Sequence, residues 1–298
     1  MKLRPYNYCK PFMKLYLFVF LSVIASQSLQ AADVITFADA NVKALCVDNW
    51  DTSGDKELSK EEAAAVTSLG TVFRERTDIG EFPELIYFKG LTSIDEYAFY
   101  KSTISGELRV PGNVKSIGDF AFNSCNRLTS VILEEGVDSV GWNTFSGPIR
   151  TLSLPASLKF MSPMAIDPYV NISSSGVFVP EGDLYVYSLS KTPPSINDYA
   201  FFYVFSAAHL IVPFGCIDAY KSSWAWSQFR EYLEAGDVNG DGALNVKDVT
   251  SMNAYIMKNS PSPFDKRLAD LNGDGEINVK DVTLMCTWIM QQGLQQEQ

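Results

Sequence analysis

Residues 114–131 read VKSIGDFAFNSCNRLTSV, and the IGDFAF within them is one copy of a repeated pattern. Related hexapeptides begin at Ile94 (IDEYAF), Ile117 (IGDFAF) and Val140 (VGWNTF), so the pattern recurs every 23 residues. A fixed period of roughly 20 to 50 residues is the signature of a chain that stacks one small structural unit. The sequence therefore predicts a solenoid.

Short predicted β-strands lie between these copies, at residues 108–110, 131–133, 152–154 and 210–212. A strand this short cannot hold a core by itself, whereas stacked strands bury their apolar side chains against those of the next unit. The phenylalanines that end the copies are therefore expected to be core rungs, which are buried side chains that stack on their equivalents in the next coil. These are Phe99, Phe122, Phe145 and, in a divergent copy at 196–201, Phe201.

The period is interrupted once. After another divergent copy at 161–166, residues 167–195 are rich in Ser and Pro and carry no copy of the pattern. One coil of the solenoid is therefore expected to be replaced, or to carry an insertion, at this point.

Three sequence segments resemble a known family: LTSIDEYAF at 91–99, VKSIGDFAFNSCNRLTSV at 114–131 and LIVPFGCIDAYKSSWAWSQF at 210–229. They resemble the BspA-like leucine-rich repeats of bacterial surface proteins, and the resemblance covers about residues 70–233. It implies a curved, right-handed solenoid whose exposed strand face binds a protein or a glycan. It also implies an adhesive role.

A second repeat stands at the C-terminus, where residues 237–248 read DVNGDGALNVKD and residues 270–281 read DLNGDGEINVKD. The two loops start 33 residues apart and differ only at positions 2, 7 and 8. Calcium takes about six or more oxygen ligands, which a 12-residue loop supplies from positions 1, 3, 5, 7, 9 and 12. Those positions hold Asp237, Asn239, Asp241, Ala243, Asn245 and Asp248 in the first loop, and Asp270, Asn272, Asp274, Glu276, Asn278 and Asp281 in the second. Ala243 and Glu276 would contribute their main-chain carbonyls.

Gly242 and Gly275 occupy the sixth position, where the chain turns sharply and a β-carbon would be strained. A helix is expected after each loop because apolar residues recur at spacings of three and four. They are Val249, Met252 and Ile256 after the first loop and Val282, Met285 and Ile289 after the second. Metal-free turns rich in Asn and Asp would explain one such loop but not a second copy with the same ligand spacing. The sequence therefore predicts two calcium sites.

Both loops end in Asp, where ordinary EF-hands carry a bidentate Glu, and no clear amphipathic helix directly precedes either one. In these respects residues 237 to about 290 resemble the dockerin type I family, whose calcium-folded loop–helix pairs plug into cohesin modules on a scaffold. The resemblance implies partner contacts at positions 10, 11, 18 and 22 of each repeat. Those residues are Val246, Lys247, Ala254, Lys258, Val279, Lys280, Thr287 and Gln291. The Val-Lys pair differs from the small hydroxyl pair of cellulosomal members, so the partner is either a cohesin-like module or another surface protein.

A third loop with calcium-ligand spacing lies near the N-terminus, where residues 51–62 read DTSGDKELSKEE. Its ligand positions hold Asp51, Ser53, Asp55, the Glu57 carbonyl, Ser59 and Glu62. The sixth residue is Lys56 rather than glycine, at a cost of about 1 kcal/mol in ordinary EF-hand geometry. A helix is expected on each side of the loop. The sequence predicts an EF-hand-like cap on the solenoid and leaves its calcium occupancy open.

The first residues have the layout of a secretory signal. Lys10 and Lys14 precede an apolar run at 15–25, which small residues follow at Ala31 and Ala32. The run is short for a membrane span, so a cleavable signal peptide at 1–31 is expected, and no transmembrane segment in the mature chain. Translation would start at Met1 or Met13.

The charge of the predicted mature chain disfavours two classes of partner. The chain has 35 acidic and 24 basic residues, and the predicted leader removes four bases and no acid, which leaves a net charge near −15. Such a charge disfavours nucleic acid and anionic membranes. Cys46, Cys125, Cys216 and Cys286 are widely spaced, and we expect buried free thiols rather than disulfides.

Together these segments predict a mixed α/β chain. It consists of a signal peptide at 1–31, an EF-hand-like helical cap at 33–70, a short leucine-rich-repeat solenoid at 71–233, and a small all-α, dockerin-like calcium-binding module at 234–298.

The predicted function is that of an exported, non-catalytic binding protein. An enzyme is not expected, since the chain has a single histidine, His209, and its acids outside the calcium loops show no paired arrangement. The solenoid would recognise a protein or glycan ligand, and the C-terminal module would dock the chain to a partner. Two alternatives stay open: an accessory part of a polysaccharide-degrading assembly, and a purely structural calcium-stabilised cap that the C-terminal loops form on the solenoid.

Overall fold

The computed structural model describes residues 33–168, 170–172, 178–180, 183–201 and 208–296. Its middle is a β-solenoid of about five turns, as the hexapeptide repeat predicts. The helices are α1 (Ala40–Trp50), α2 (Lys60–Ala65), α3 (Ile217–Ser222), α4 (Val246–Ile256) and α5 (Val279–Gln296), and 3-10 turns span Pro83–Tyr87, Trp224–Trp226 and Lys266–Leu268. The predicted signal peptide lies outside the described residues.

A narrow parallel sheet is built from the starts of the hexapeptide copies. Its strands are β1 (Ser93–Ile94), β3 (Ser116–Ile117), β5 (Ser139–Val140) and β8 (Phe160–Met161), in that spatial order. Ile94 pairs with Ile117, and Ile117 with Val140. The register therefore places equivalent residues of successive repeats side by side, which is how a stacked unit buries its apolar positions.

A wider parallel sheet runs along the same solenoid. Its strands are β2 (Ser105–Val110), β4 (Arg127–Leu133), β7 (Thr151–Leu154), β12 (Leu184–Ser188), β13 (Ala208–Pro213) and β14 (Glu231–Ala235), ordered β14-β13-β12-β7-β4-β2. Leu108, Val131 and Leu152 are paired in register and point into the core.

Because side chains alternate along a strand, the neighbours of those core residues form the opposite surface of the wide sheet, which we call the strand face. Two rows of register-paired residues make it up. One row is Glu107, Ser130, Thr151, Tyr185 and His209, and the other is Arg109, Ile132, Ser153, Tyr187 and Ile211.

A ladder of phenylalanine rings fills the core between the coils. Phe99 stacks on Phe122 at 4.8 Å between ring centroids, and Phe122 on Phe145 at 5.3 Å. Phe73 extends the ladder by stacking on Phe99 at 4.8 Å. Phe201 is also fully buried, beside Trp226. The predicted core rungs are thus confirmed, and each buried ring contributes roughly 1.5 to 3 kcal/mol of hydrophobic stabilisation.

The fourth residue of each hexapeptide adopts a left-handed backbone conformation. Its φ is 59° at Tyr97, 55° at Phe120, 46° at Asn143 and 53° at Met164. This conformation is strained for residues other than glycine. Stacking compensates for the strain, because Tyr97 and Phe120 each donate a main-chain hydrogen bond to the next coil, to Asp119 and Trp142 respectively.

The interruption of the repeat is an insertion carried by one coil. The main chain of Met164 donates to Tyr199, and that of Ile166 to Ala200, so the two divergent copies stack directly on each other. The strand β12 also pairs with β7, which continues the wide sheet across the gap. The remaining strands are β6 (Phe145–Gly147), β9 (Ile166–Pro168), β10 (Val170–Ile172) and β11 (Phe178–Pro180), and the last two form an antiparallel pair.

The four cysteines of the described residues are free thiols, as expected. Cys46 and Cys125 are buried, but Cys216 and Cys286 are only partly so, which corrects the expectation that all are buried. Burial raises the pKa of Cys125 to about 11, so this thiol is unreactive at neutral pH. His209 is a strand residue that is 6% exposed, and its Nδ1 lies 2.7 Å from a carboxylate oxygen of Glu231.

The strand face is not fully exposed, contrary to what the family resemblance implied. Val238, Met252 and Met285 from the C-terminal repeats share an apolar cluster with Ile211 of the sheet. Tyr185 and Tyr187 pack against the same cluster. Burial of these apolar surfaces explains why the C-terminal repeats lie on the sheet.

Candidate calcium sites

The first C-terminal loop gathers three carboxylates. Ligand oxygens of Asp237, Asp241 and Asp248 all lie within 4.8 Å of one another. Within the parts of the chain that the structure describes, this is the one group of three acidic, histidine or cysteine ligands so closely spaced. Asp248 is fully buried although it is acidic. Like charges held this close favour a bound cation.

Main-chain N–H groups hold these carboxylates in place. Gly242 donates to Asp237 Oδ2 at 2.9 Å, and Asn245 donates to Asp248 Oδ2 at 2.9 Å. Asp241 accepts from the N–H of Ala243 at 3.2 Å. The loop conformation therefore aims the carboxylates of positions 1, 5 and 12 without help from distant residues.

The second loop repeats this scaffold. Gly275 donates to Asp270 Oδ2 at 2.8 Å, and Asn278 donates to Asp281 Oδ2 at 2.9 Å. Asp274 accepts from the N–H of Glu276 at 3.1 Å. The predicted equivalence of the two loops is thus present in their hydrogen bonds.

Glycine at the sixth position serves its predicted purpose. The backbone φ is 80° at both Gly242 and Gly275, in the left-handed region that disfavours a β-carbon. The same N–H groups that donate to Asp237 and Asp270 belong to these glycines. The turn therefore aims a donor at the first ligand.

The last ligand of each loop also belongs to a helix. Asn245 caps α4, and Asp248 completes a capping box by accepting from the main-chain N–H of Asn245. In the second loop Asn278 directly precedes α5 and Asp281 is the third residue of that helix, at the corresponding positions. Calcium binding by these loops would therefore use side chains that also form the helix starts.

Burial and mutual repulsion act on the carboxylates. Burial raises the pKa of Asp248, and the charges of Asp237 and Asp241 raise it further. In the second loop, burial raises the pKa of Asp270 to about 6, against a hydrogen bond from Gly275 that lowers it. A divalent cation would offset this unfavourable burial of charge.

The donor set fits calcium. The first and second loops offer oxygen atoms alone at the six ligand positions, and calcium prefers carboxylate, amide and main-chain oxygens. The exposed Lys247 and Lys280 each place Nζ 2.9 Å from Asp241 and Asp274, respectively, and neutralise only one carboxylate per loop. Bound calcium would supply the remaining positive charge.

The N-terminal loop has the same hydrogen-bond pattern. Lys56 donates its N–H to Asp51 Oδ2 at 2.9 Å, and Glu57 donates to Asp55 Oδ1 at 2.9 Å. Lys56 has a φ of 68°, so it adopts the left-handed conformation that glycine adopts in the other loops. Ser53 donates its N–H to Glu62 at 2.9 Å.

A helix lies on either side of this loop, α1 before it and α2 (Lys60–Ala65) after it. Leu58 at the eighth position is buried, and its carbonyl accepts from the N–H of Ile35 at 2.9 Å. Partial burial acts to raise the pKa of Glu62, but hydrogen bonds from Ser59, Ser53 and Thr52 lower it to about 2. Glu62 is therefore charged at neutral pH.

The family-derived partner positions are mostly exposed. Val246 and Val279 are 70% and 68% exposed, and Lys247, Lys258, Lys280 and Gln291 are exposed as well. Ala254 and Thr287 are half-buried.

Sequence reasoning missed Met257 and Met290, which are 73% and 63% exposed. They are separated by the same 33 residues as the two valines, and that shared period was the signal that could have found them. Met257 and Met290 therefore form a second matched pair of exposed apolar side chains, like Val246 and Val279.

Comparison with known families supports both resemblances. Residues 78–176 match the family model of the BspA type leucine rich repeat region, in six copies, and residues 235–287 match that of the dockerin type I domain. No curated protein matches the chain. Dockerin type I domains bind calcium, and neither family is catalytic. Both domain types are typical of extracellular proteins.

None of the helices within the described residues is both long and apolar enough to cross a membrane.

Proposed function

We propose that this chain is an exported, non-catalytic binding protein, docked to a partner by a C-terminal module that two calcium ions fold. The duplicated loop scaffold is the observation that carries the proposal, because main-chain N–H groups hold the carboxylates of positions 1, 5 and 12 in the same way in both loops. The match to the dockerin type I family supports docking as the role of this module.

We assign three structural units after removal of the signal peptide: a cap at 33–70, the solenoid at 71–233 and the docking module at 234–298. The apolar clusters support this division in part. One cluster runs from Ile35 to Phe229, and the other gathers Ala235 to Met285 together with Ile211.

The docking surface consists of the exposed residues that repeat every 33 positions. Val246 and Val279 begin the two long helices, and Met257 and Met290 lie eleven residues further along each repeat. The exposed Lys247, Lys258 and Lys280 are next to these residues in sequence, and Lys247 and Lys280 also pair with Asp241 and Asp274. A partner with an apolar patch and acidic surroundings fits this surface, and a cohesin-like module is the first candidate.

Docking is tested by direct binding of the mature chain to purified cohesin-type modules, in calcium and after chelation. We expect binding only in calcium, and at least tenfold weaker binding by the double variant Val246→Asp, Val279→Asp. Phe160→Asp is the matched control, because Phe160 is an exposed apolar residue of the solenoid. The absence of binding in calcium would refute the docking role, and binding that chelation leaves unchanged would refute its dependence on calcium.

The C-terminal repeats cover part of the strand face, and this contact favours a second role. In that role the module is a structural cap on the solenoid. Truncation after Ala235, which leaves β14 whole, tests it by thermal unfolding in calcium. A cap that matters leaves the truncated chain clearly less stable, whereas equal unfolding temperatures of the solenoid would exclude this role.

The solenoid's ligand is either a protein or a glycan. Binding of the mature chain to a glycan array would favour the accessory role in a polysaccharide-degrading assembly. Binding to extracellular matrix proteins would favour adhesion.

We also propose a third calcium site in the N-terminal loop, held by Asp51, Ser53, Asp55, the Glu57 carbonyl, Ser59 and Glu62. Trp50 directly precedes the first ligand, so it should sensitise the luminescence of terbium bound in calcium's place. We expect excitation of tryptophan to give a terbium signal that Asp51→Ala reduces and calcium displaces. A signal unchanged by Asp51→Ala would exclude this site.

A further inference from the structure

The two C-terminal loops differ in what surrounds them, and matched glycines reveal the difference. Gly240 and Gly273 both occupy the fourth loop position, with φ of 70° and 69°. A β-carbon at Gly240 would meet nothing within 4 Å. One at Gly273 would lie 2.5 Å from Ser153 Oγ and 2.8 Å from Leu189 Cδ1. The second loop is therefore in tight contact with the solenoid, and the first is not.

The sixth position shows the same contrast. A β-carbon at Gly242 would meet nothing within 4 Å, whereas one at Gly275 would lie 3.1 Å from Ile132 Cδ1. The same position is 3.3 Å from a carboxylate oxygen of Glu107 and 3.4 Å from Arg109. The backbone of the second loop thus lies against the row of the strand face that contains Arg109, Ile132 and Ser153.

Polar contacts also join the C-terminal module to the strand face. Arg109 of the solenoid donates to the main-chain carbonyl of Asp274, in the middle of the calcium loop. The guanidinium of Arg267 lies over the ring of Tyr185, 5.4 Å from its centroid. Arg109 also forms an ion pair with Glu107 of the same strand, at 3.2 Å. The second loop, through Asp274, and the turn before it, through Arg267, therefore have specific partners on the solenoid.

The contact is incompletely filled. A cavity of about 250 Å³ lies between the strand face and the second loop, lined by Thr151, Ser153 and Tyr187 on one side and by Lys266 and Asp270 on the other. The hydroxyl of Ser153 is buried there without a hydrogen-bond partner. Tight cores leave few such voids, so this interface is less tightly packed than the solenoid core and better suited to opening.

We propose that the second calcium loop and the strand face form a calcium-closed latch. With calcium in the second loop, the module covers the strand face around Ile132, Ser153 and Tyr187, and loss of that calcium uncovers it. The proposal rests on calcium binding by the second loop, which is part of the proposed function. It adds that a ligand of the strand face competes with the chain's own C-terminal module.

Calcium is required for closure because the contact depends on the loop's shape. Gly273 and Gly275 fit against the solenoid only in the left-handed conformations that the ligand scaffold of Asp270 and Asp281 imposes. Without a cation, the charges of these acids repel one another and loosen the loop. Linkage then requires the converse effect, in which the strand face tightens calcium binding in the second loop.

The test measures hydroxyl-radical oxidation of Tyr185 and Tyr187 in the mature full chain, with calcium and after chelation. We expect chelation to raise the oxidation of both side chains at least threefold, while Phe99 in the solenoid core stays protected. If the oxidation of both tyrosines does not change on chelation, the latch is wrong.

A matched pair of variants separates docking from loop strain. Gly273→Ala and Gly240→Ala introduce the same left-handed strain at equivalent positions, but only Gly273→Ala collides with the solenoid. In calcium, we expect Gly273→Ala alone to expose the two tyrosines. We also expect it to weaken calcium binding by its own loop several-fold more than Gly240→Ala weakens the first. Equal effects of the two variants would overturn the proposal.

Arg109→Gln provides a test that leaves the calcium loop unaltered, in case Gly273→Ala prevents the second loop from folding. We expect it to weaken calcium binding by the second loop several-fold and to leave the first loop unaffected. Arg127→Gln, at the exposed start of β4, is the control. Unchanged second-loop affinity in Arg109→Gln would contradict the coupling.

These outcomes also separate the latch from the proposed function. If the second loop binds no calcium at all, both fail. If it binds calcium while tyrosine oxidation and the Arg109→Gln affinity stay unchanged, only the latch fails.

Discussion

The first and second C-terminal loops share nine of their twelve residues and the same pattern of N–H groups donating to carboxylates. Their surroundings nevertheless differ. The first loop faces solvent around Gly240 and Gly242, and the second lies on the solenoid sheet at Gly273 and Gly275. A duplicated sequence thus determines the local chemistry of a site, whereas the rest of the fold determines its environment.

Removal of calcium should have the largest effect. Both helices of the module begin directly after a ligand residue, Asn245 or Asn278, so chelation should unfold α4 and α5 while the Phe99–Phe122–Phe145 ladder keeps the solenoid folded. A ligand present at 1,000 times its dissociation constant stabilises the folded state by roughly 4 kcal/mol. Hydrogen exchange of the two helices, with the solenoid strands as the internal control, measures the effect. Helices equally protected with and without calcium would contradict it.

Loss of the twelfth ligand should have the next largest effect. Asp248→Ala and Asp281→Ala each remove a fully buried ligand, and we expect roughly 100-fold weaker calcium binding in the altered loop. Loss of a cap also destabilises the following helix by about 1 kcal/mol.

Titration of each variant by calorimetry, together with thermal unfolding in calcium, checks this prediction. Glu276→Ala is the control, because it keeps the main-chain carbonyl and copies the Ala243 of the first loop. The comparison between the loops sharpens if Asp281→Ala also exposes Tyr187 while Asp248→Ala does not. A normal calcium affinity in either variant would show that its loop does not bind calcium as described.

The smallest effect is expected from the two lysines. Lys247 and Lys280 each place an exposed ammonium 2.9 Å from a ligand carboxylate, where it competes with the metal. Lys247→Ala and Lys280→Ala should therefore raise calcium affinity by less than about fivefold, and by similar factors. Calorimetric titration measures both. If the two substitutions changed calcium affinity by very different factors, the lysines would be the source of the difference between the loops. The contact with the solenoid would then not be its source.

Much of the fold was predictable because the solenoid and the calcium loops are repeats. The positions of Phe99, Phe122 and Phe145 followed from the 23-residue period, since identical units must stack identical side chains. The ligand positions likewise depend on residues within twelve positions of one another. Local spacing is sufficient for both.

The contact between the C-terminal module and the strand face was not predictable in the same way. It brings Arg109 to Asp274, 165 residues away, and no pattern in the sequence links the two. The exposed Met257 and Met290 were missed because they lie outside the family-derived contact positions. The left-handed Lys56 was anticipated as a strained position, but only the structure shows its N–H donating to Asp51.

Calcium stoichiometry is the direct test of calcium binding by the two C-terminal loops. The measurement is calorimetric titration of calcium into the metal-free mature chain, carried out in an Asp51→Ala background so that only the C-terminal loops contribute. We predict about two bound ions, reduced to one by Asp237→Ala or by Asp270→Ala and to none by both changes together. A chain that binds no calcium, or whose stoichiometry survives both substitutions, would contradict the account.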